Sequence, residues 1–137
     1  LMEFHTAYLN SNHIVAHNLE FDKFMIELEI IRNYEGLKQH SDFFGPQIIF
    51  NTTFNKMWNI QTFCTMNEGK YTTKIELKGK YGKPFYKSPK LEELHKALFS
   101  TTIDSSLLHN SLVDTLLCLK CYLKMKHNVD TNIEIPN

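Results

Sequence analysis

Asp22 and Asp114 are the carboxylates whose surroundings in the chain suit metal or proton chemistry. The first closes the stretch Ala16-His17-Asn18-Leu19-Glu20-Phe21-Asp22. A short apolar run ends there and a helical period begins, which puts Asp22 in the first turn of a helix. Sites in α/β proteins gather at the carboxyl ends of strands. The positive end of a helix dipole also favours the ionised, metal-binding form of a carboxylate. On position alone the plainer account is favoured, an acidic residue that improves a helix start.

The second stretch is Leu108-His109-Asn110-Ser111-Leu112-Val113-Asp114. Within one continuous helix, five residues turn through about 500°, so His109 and Asp114 would face different ways. They converge if His109 lies on the loop before the helix and Asp114 on its early turns. Ser105-Ser106 and a capping Asn110 or Ser111 allow that break. A loop imidazole beside a helix carboxylate suits a general base working next to a metal ion. Taken alone, a solvent-facing histidine and a helix-start aspartate is the simpler reading.

Residues 70–90 hold lysines at 70, 74, 78, 80, 83, 87 and 90 against one acid, Glu76, with Tyr71, Tyr81, Phe85 and Tyr86 interleaved. Lysines attract phosphates and aromatic rings stack on bases, so the segment suits single-stranded nucleic acid. A solvated lysine-rich loop guarding a strand edge fits it equally well. Cys118-Leu119-Lys120-Cys121 has zinc-like spacing but sits inside a helical apolar pattern and lacks a matching second pair, so core thiols are the better reading.

The elements that position these residues alternate between strand and helix, which makes the class α/β. A helix ends near residue 10, with Phe4, Ala7 and Tyr8 on one face. His13-Ile14-Val15-Ala16-His17 reads as a buried strand. Phe21, Phe24, Met25, Leu28 and Ile31 then recur at helical spacing, predicting an amphipathic helix over 19–34, capped by Asn18 and stopped by Gly36. Phe43-Phe44-Gly45-Pro46 marks a turn. Residues 60–66 alternate as a strand. Ser88-Pro89 starts a helix that carries Leu91, Leu94 and Leu98 inward. The last helix runs from about Ser111 to Lys126 with Leu112, Leu116, Leu119 and Leu123 on one stripe.

The 137 residues, 42% apolar, suit one domain with a single core. A formal net charge of zero says little about partners, because a basic face can offset acidic catalytic groups. One arginine against fourteen lysines and twelve asparagines reads as the imprint of an A/T-rich coding sequence. Three cysteines argue against a disulfide framework and for a reducing compartment. No apolar run approaches the roughly 20 residues of a membrane span. The N-terminus is no signal peptide, so an intracellular, cytoplasmic setting is expected.

Taken in order, these segments resemble the DnaQ-like 3′-5′ exonucleases of the DEDDh group. Ile14-Val15-Ala16-His17-Asn18-Leu19-Glu20-Phe21-Asp22 looks like the family's HNxxFD motif, and Leu108–Asp114 like its HxAxxD motif with serine for the usual alanine. Pro89–Phe99 resembles the PKLxELxxxLF helix between them, and Cys64-Thr65-Met66 a CTM tripeptide of many relatives. The resemblance spans roughly residues 2 to 126. It implies a ribonuclease H-like exonuclease fold in which residues 1–137 are the C-terminal portion. Two Mg2+ or Mn2+ ions would be held by four carboxylates. Asp22 and Asp114 would supply two of them, and His109 would take a proton from the attacking water. His17, Asn18, Phe21 and Asn110 would shape the pocket for the 3′ end of single-stranded DNA or RNA. Lys70, Lys74, Lys78, Lys80, Lys83 and Lys87, read from the charge of their segment rather than from the resemblance, would add phosphate attraction. The family's Asp-x-Glu motif has no counterpart here. By that departure the fold lacks its first antiparallel strands, and the missing portion of the domain, or a partner chain, would provide both. Asp130-Thr131-Asn132-Ile133-Glu134 has the wrong spacing to replace the motif.

Overall fold

Tyr8, four residues from Phe4, anchors the first helix, α1 (Met2–Leu9), with His5 and Tyr8 as its buried residues. The chain then forms strand β1 (His13–Ala16), a two-residue turn, helix α2 (Leu19–Arg32) and a one-turn helix α3 (Tyr34–Leu37). A 3-10 turn (Pro46–Ile48) and helix α4 (Thr52–Met57) lead to strand β2 (Gln61–Cys64). Helix α5 (Thr65–Thr73), strands β3 (Glu76–Lys78) and β4 (Pro84–Tyr86), and helices α6 (Leu91–Phe99) and α7 (Ser111–His127) complete the order. This is a computed structural model, and it describes residues 1–40, 45–104 and 106–135. Of the turn expected at 43–46, Phe43 and Phe44 lie outside the described residues, as does Ser105. Among the described residues the structure is mixed α/β, with β1 paired to β2 and β3 to β4 in two-stranded sheets. No helix among them is long and apolar enough to cross a membrane.

The chain divides into two units, Leu1–Ile14 with Leu19–Phe63, and Val15–Asn18 with Cys64–Asn137. The first is built around Tyr8, Ile49 and Ile60, with Ile14, Ile26, Phe50 and Phe54 packed against them. The Tyr8 hydroxyl donates to Asn55 Oδ1 at 2.7 Å and accepts from the Phe50 N–H at 3.0 Å, so this buried phenol is satisfied on both sides. The Gln61 N–H donates to the Asn12 carbonyl at 2.8 Å beside the β1–β2 pair.

In the second unit α5, α6 and α7 pack on one another around Leu94, Val113, Leu117 and Cys121. Fully burying a leucine such as Leu94 or Leu117 contributes about 1.5–3 kcal/mol. Gly69 allows α5 this close to α6: a Cβ there would stand 3.0 Å from Leu94 Cδ1 and 3.1 Å from Pro89 Cγ. Cys118 and Cys121 are buried cysteines of this core. Burial pushes the Cys121 thiol up to about 12, the neighbouring Cys118 adding to the rise and Lys120 opposing it.

Several elements differ from the sequence expectation. On α2 the stripe Phe21, Phe24, Met25, Ile31 faces outward, and Leu19 is the buried residue, with Ile26 half-buried on the core. The helix is apolar on both faces, so periodicity alone does not choose a side. The same holds for α7. Its buried row is Val113, Leu117, Cys118, Cys121 and Tyr122, whereas Leu112 and Leu119 are exposed. Gly36 does not stop α2, which ends at Arg32, and falls inside α3. Thr65 and Met66 begin α5 rather than end a strand. Lys90, not Ser88, occupies the N-cap position of α6, where its N–H donates to Glu93 Oε2 at 2.8 Å.

Candidate active site

The path from β1 to α2 is a tight turn. Asn18 takes it in left-handed backbone, φ 76°, a conformation asparagine tolerates better than most residues. That geometry differs from the extended backbone of an N-cap, so Asn18 turns the chain instead of capping the helix. Asp22 then lies exposed in the first turn of α2, as the sequence placed it, and Phe21 is 58% exposed beside it.

His17, just before that turn, is held at both ring nitrogens. Nδ1 lies 3.0 Å from the Thr65 hydroxyl and Nε2 lies 3.1 Å from the Pro89 carbonyl. A carbonyl only accepts, so Nε2 carries a proton and donates it. In the neutral ring Nδ1 then accepts from Thr65. The Thr65 oxygen lies 3.3 Å from the Ala16 carbonyl and 3.6 Å from Cys118 Sγ. Thr65 is wholly buried, so this chain of hydrogen bonds crosses the interior of the second unit. Sequence reasoning assigned His17 to the substrate and overlooked Thr65, Pro89 and Cys118. The available signal was that the CTM tripeptide and the proline just ahead of α6 both belong to segments that carry the resemblance.

The start of α7 has the break that the second stretch requires. His109 is exposed with φ 69° and lies on the turn ahead of the helix. Asn110 caps α7, its Oδ1 accepting from Leu112 N–H at 3.0 Å and Val113 N–H at 3.4 Å. Its amide N–H2 is left as the donor that could meet a ligand. Asp114 is half-buried in the first turn of α7. His17, Asn18, His109, Asn110 and Asp114 thus belong to the second unit, and Phe21 and Asp22 to the first. Among the described residues no three His, Cys, Asp or Glu side chains gather closely enough to hold a metal ion. Asp22 and Asp114 have the hard oxygen donors that magnesium prefers. Their number is short of a complete ligand set.

The lysine segment is an antiparallel hairpin. Glu76 pairs with Tyr86, Leu77 with Phe85 and Lys78 with Pro84. The turn closes through the Gly79 N–H to the Lys83 carbonyl at 2.9 Å, and Gly82 adopts φ 73° within it. Lys87 leaves the hairpin bound to Glu93 at 2.6 Å, and Lys90 stands 3.6 Å from Glu92. Desolvation raises the Glu93 carboxyl, but the Lys87 hydrogen bond, the Lys90 N–H and both lysine charges outweigh it and hold the group below its usual value. These two lysines are therefore partly neutralised, unlike those nearer the tip.

No protein-family model, no curated protein and no solved structure matches this chain.

Proposed function

We propose that this chain is the later part of a DnaQ-like 3′-5′ exonuclease domain, of ribonuclease H-like fold, acting on the 3′ end of single-stranded DNA or RNA. One observation carries the reading. Three of the segments that resemble the family meet at one side chain: the ring of His17, in the HNxxFD-like stretch, bonds to Thr65 of the CTM tripeptide and to the carbonyl of Pro89, which opens the PKL-like stretch. Each candidate carboxylate also opens a helix, Asp22 directly after a strand and turn and Asp114 after a capped loop.

In this reading Asp22 and Asp114 each contribute a metal-binding carboxylate, and the other two come from outside these residues. Magnesium or manganese would stabilise the attacking and leaving oxygens of the phosphodiester. The exposed His109 ring accepts a proton at a free ring nitrogen when neutral, the role of a general base. By the resemblance, Asn18, Phe21 and Asn110 would each contact the terminal nucleotide, while His17 braces the turn at Asn18. The test is digestion of labelled single-stranded DNA and RNA by the full-length protein, with and without manganese. Asp22→Asn and Asp114→Asn should each lower cleavage by orders of magnitude with little loss of fold, and retained cleavage refutes their role.

A second reading is a non-catalytic nucleic-acid-binding or subunit-docking module. The observation that favours it is the lack of a three-ligand cluster among the described residues. Cleavage that depends on manganese and on Asp114 rejects it.

A further inference from the structure

We infer that the β3–β4 hairpin is a binding ribbon for single-stranded nucleic acid, taking the sugar-phosphate backbone on its lysines and stacking bases on its exposed rings. The inference deepens the nuclease reading and rests on it for the class of ligand. It adds the element that grips the strand.

The hairpin is short, and an isolated two-stranded ribbon is marginal in water. All six of its strand residues are nevertheless exposed. Paired residues share a face, so Leu77 and Phe85 form one apolar face, and Tyr86, Lys78 and Pro84 lie with Glu76 on the other. At the tip Tyr81 is 85% exposed, with the Lys80 ammonium 6.0 Å from its ring centre. Lys74, Lys78, Lys80 and Lys83 oppose only Glu76 over residues 74–83, a net charge of 4 − 1 = +3. None of these four lysines forms a salt bridge among the described residues, whereas Lys87 and Lys90 do.

Cations and open ring faces on one ribbon match a polyanion whose bases are unpaired. A duplex hides its bases from such rings. An acidic peptide would use the lysines and leave Tyr81, Phe85 and Tyr86 without partners. A bilayer surface needs a broader apolar face than one Leu–Phe pair provides.

Binding of fluorescein-labelled oligo(dT) and oligo(U) to the full chain, followed by anisotropy in EDTA between 50 and 200 mM salt, tests this without cleavage. The Lys78→Gln/Lys80→Gln/Lys83→Gln variant should flatten the slope of log Kd against log salt by about 2, because each lost single-strand contact removes about 0.7. Tyr81→Ala/Phe85→Ala should weaken binding about tenfold or more with the slope nearly unchanged. All these positions are exposed, so circular dichroism and melting should match wild type. Wild-type affinity in both variants overturns the inference. So does no binding by the parent, or capture by phosphatidylserine vesicles in preference to either oligonucleotide. If the parent digests nothing but the variants lose oligonucleotide binding, the nuclease reading fails and the ribbon stands. If the parent digests its substrate and the variants bind as it does, the ribbon fails and the nuclease reading stands.

Discussion

Replacing His17 by alanine separates a brace from a substrate contact. The substitution removes two hydrogen bonds, to Thr65 and to the Pro89 carbonyl. Each is worth about 0.5–1.5 kcal/mol net, and a buried acceptor left without a partner costs about 1–3 kcal/mol more. The penalties are unequal. Thr65 retains the Ala16 carbonyl at 3.3 Å, so its hydroxyl proton still has a destination. The Pro89 carbonyl loses its imidazole donor, but His17 is only half-buried and water can enter the space it leaves. The sum is about 2–3 kcal/mol, or roughly 6–12 °C in melting temperature for a chain of this size. Thr65→Val keeps the shape and removes the hydroxyl, and should cost about 1–2 kcal/mol. The double variant should lose less than the sum of the two, because both singles delete the same bond. Urea unfolding of the four proteins reads all three quantities. A His17→Ala protein that melts within about 2 °C of wild type and binds oligonucleotide poorly would refute the brace.

The remaining predictions concern protons and thiols. His109→Ala should slow cleavage while leaving manganese binding nearly intact, as measured by calorimetry; an unchanged rate removes its proton-transfer role. His95 is buried, and it packs on Phe99 with ring centres 4.8 Å apart. Burial lowers its pKa, the Thr101 backbone partly restores it, and Lys120 lowers it again. The folded state therefore binds fewer protons at His95 than the unfolded state does. Its stabilising effect is present above the unfolded value near 6.5 and is lost as pH falls from there toward the folded pKa. His95→Phe should abolish that component of the pH profile, and a profile unchanged between pH 7 and 5 contradicts the assignment. Because the Cys121 thiol is pushed up to about 12, it should resist alkylation at pH 8. Mass spectrometry after brief iodoacetamide treatment should find Cys64, the least buried of the three, modified first.

Local signals located what was local. The change of period at Asn18–Leu19 places the turn before α2, and Asn110 does cap α7, because both depend on neighbours in the chain. The core faces of α2 and α7 were not legible. Each helix carries two apolar rows, and the choice between them is made by residues far away, such as Leu94 against α7. The Thr65 network was invisible for the same reason: its partners lie 48, 49 and 53 positions away. The hairpin was hidden by its lysines, which conceal a strand pattern only three residues long on each side.

The arrangement around Thr65 also bears on how the chain can drift. A single hydroxyl proton serves either the imidazole or the Ala16 carbonyl, so the residue types at 17 and 65 are tied together, whereas any amino acid at 89 supplies a carbonyl. Sequences descended from a common ancestor should exchange the two as a pair. A valine at the second position would accompany a first residue that no longer presents a lone pair inward, and a serine would leave histidine in place.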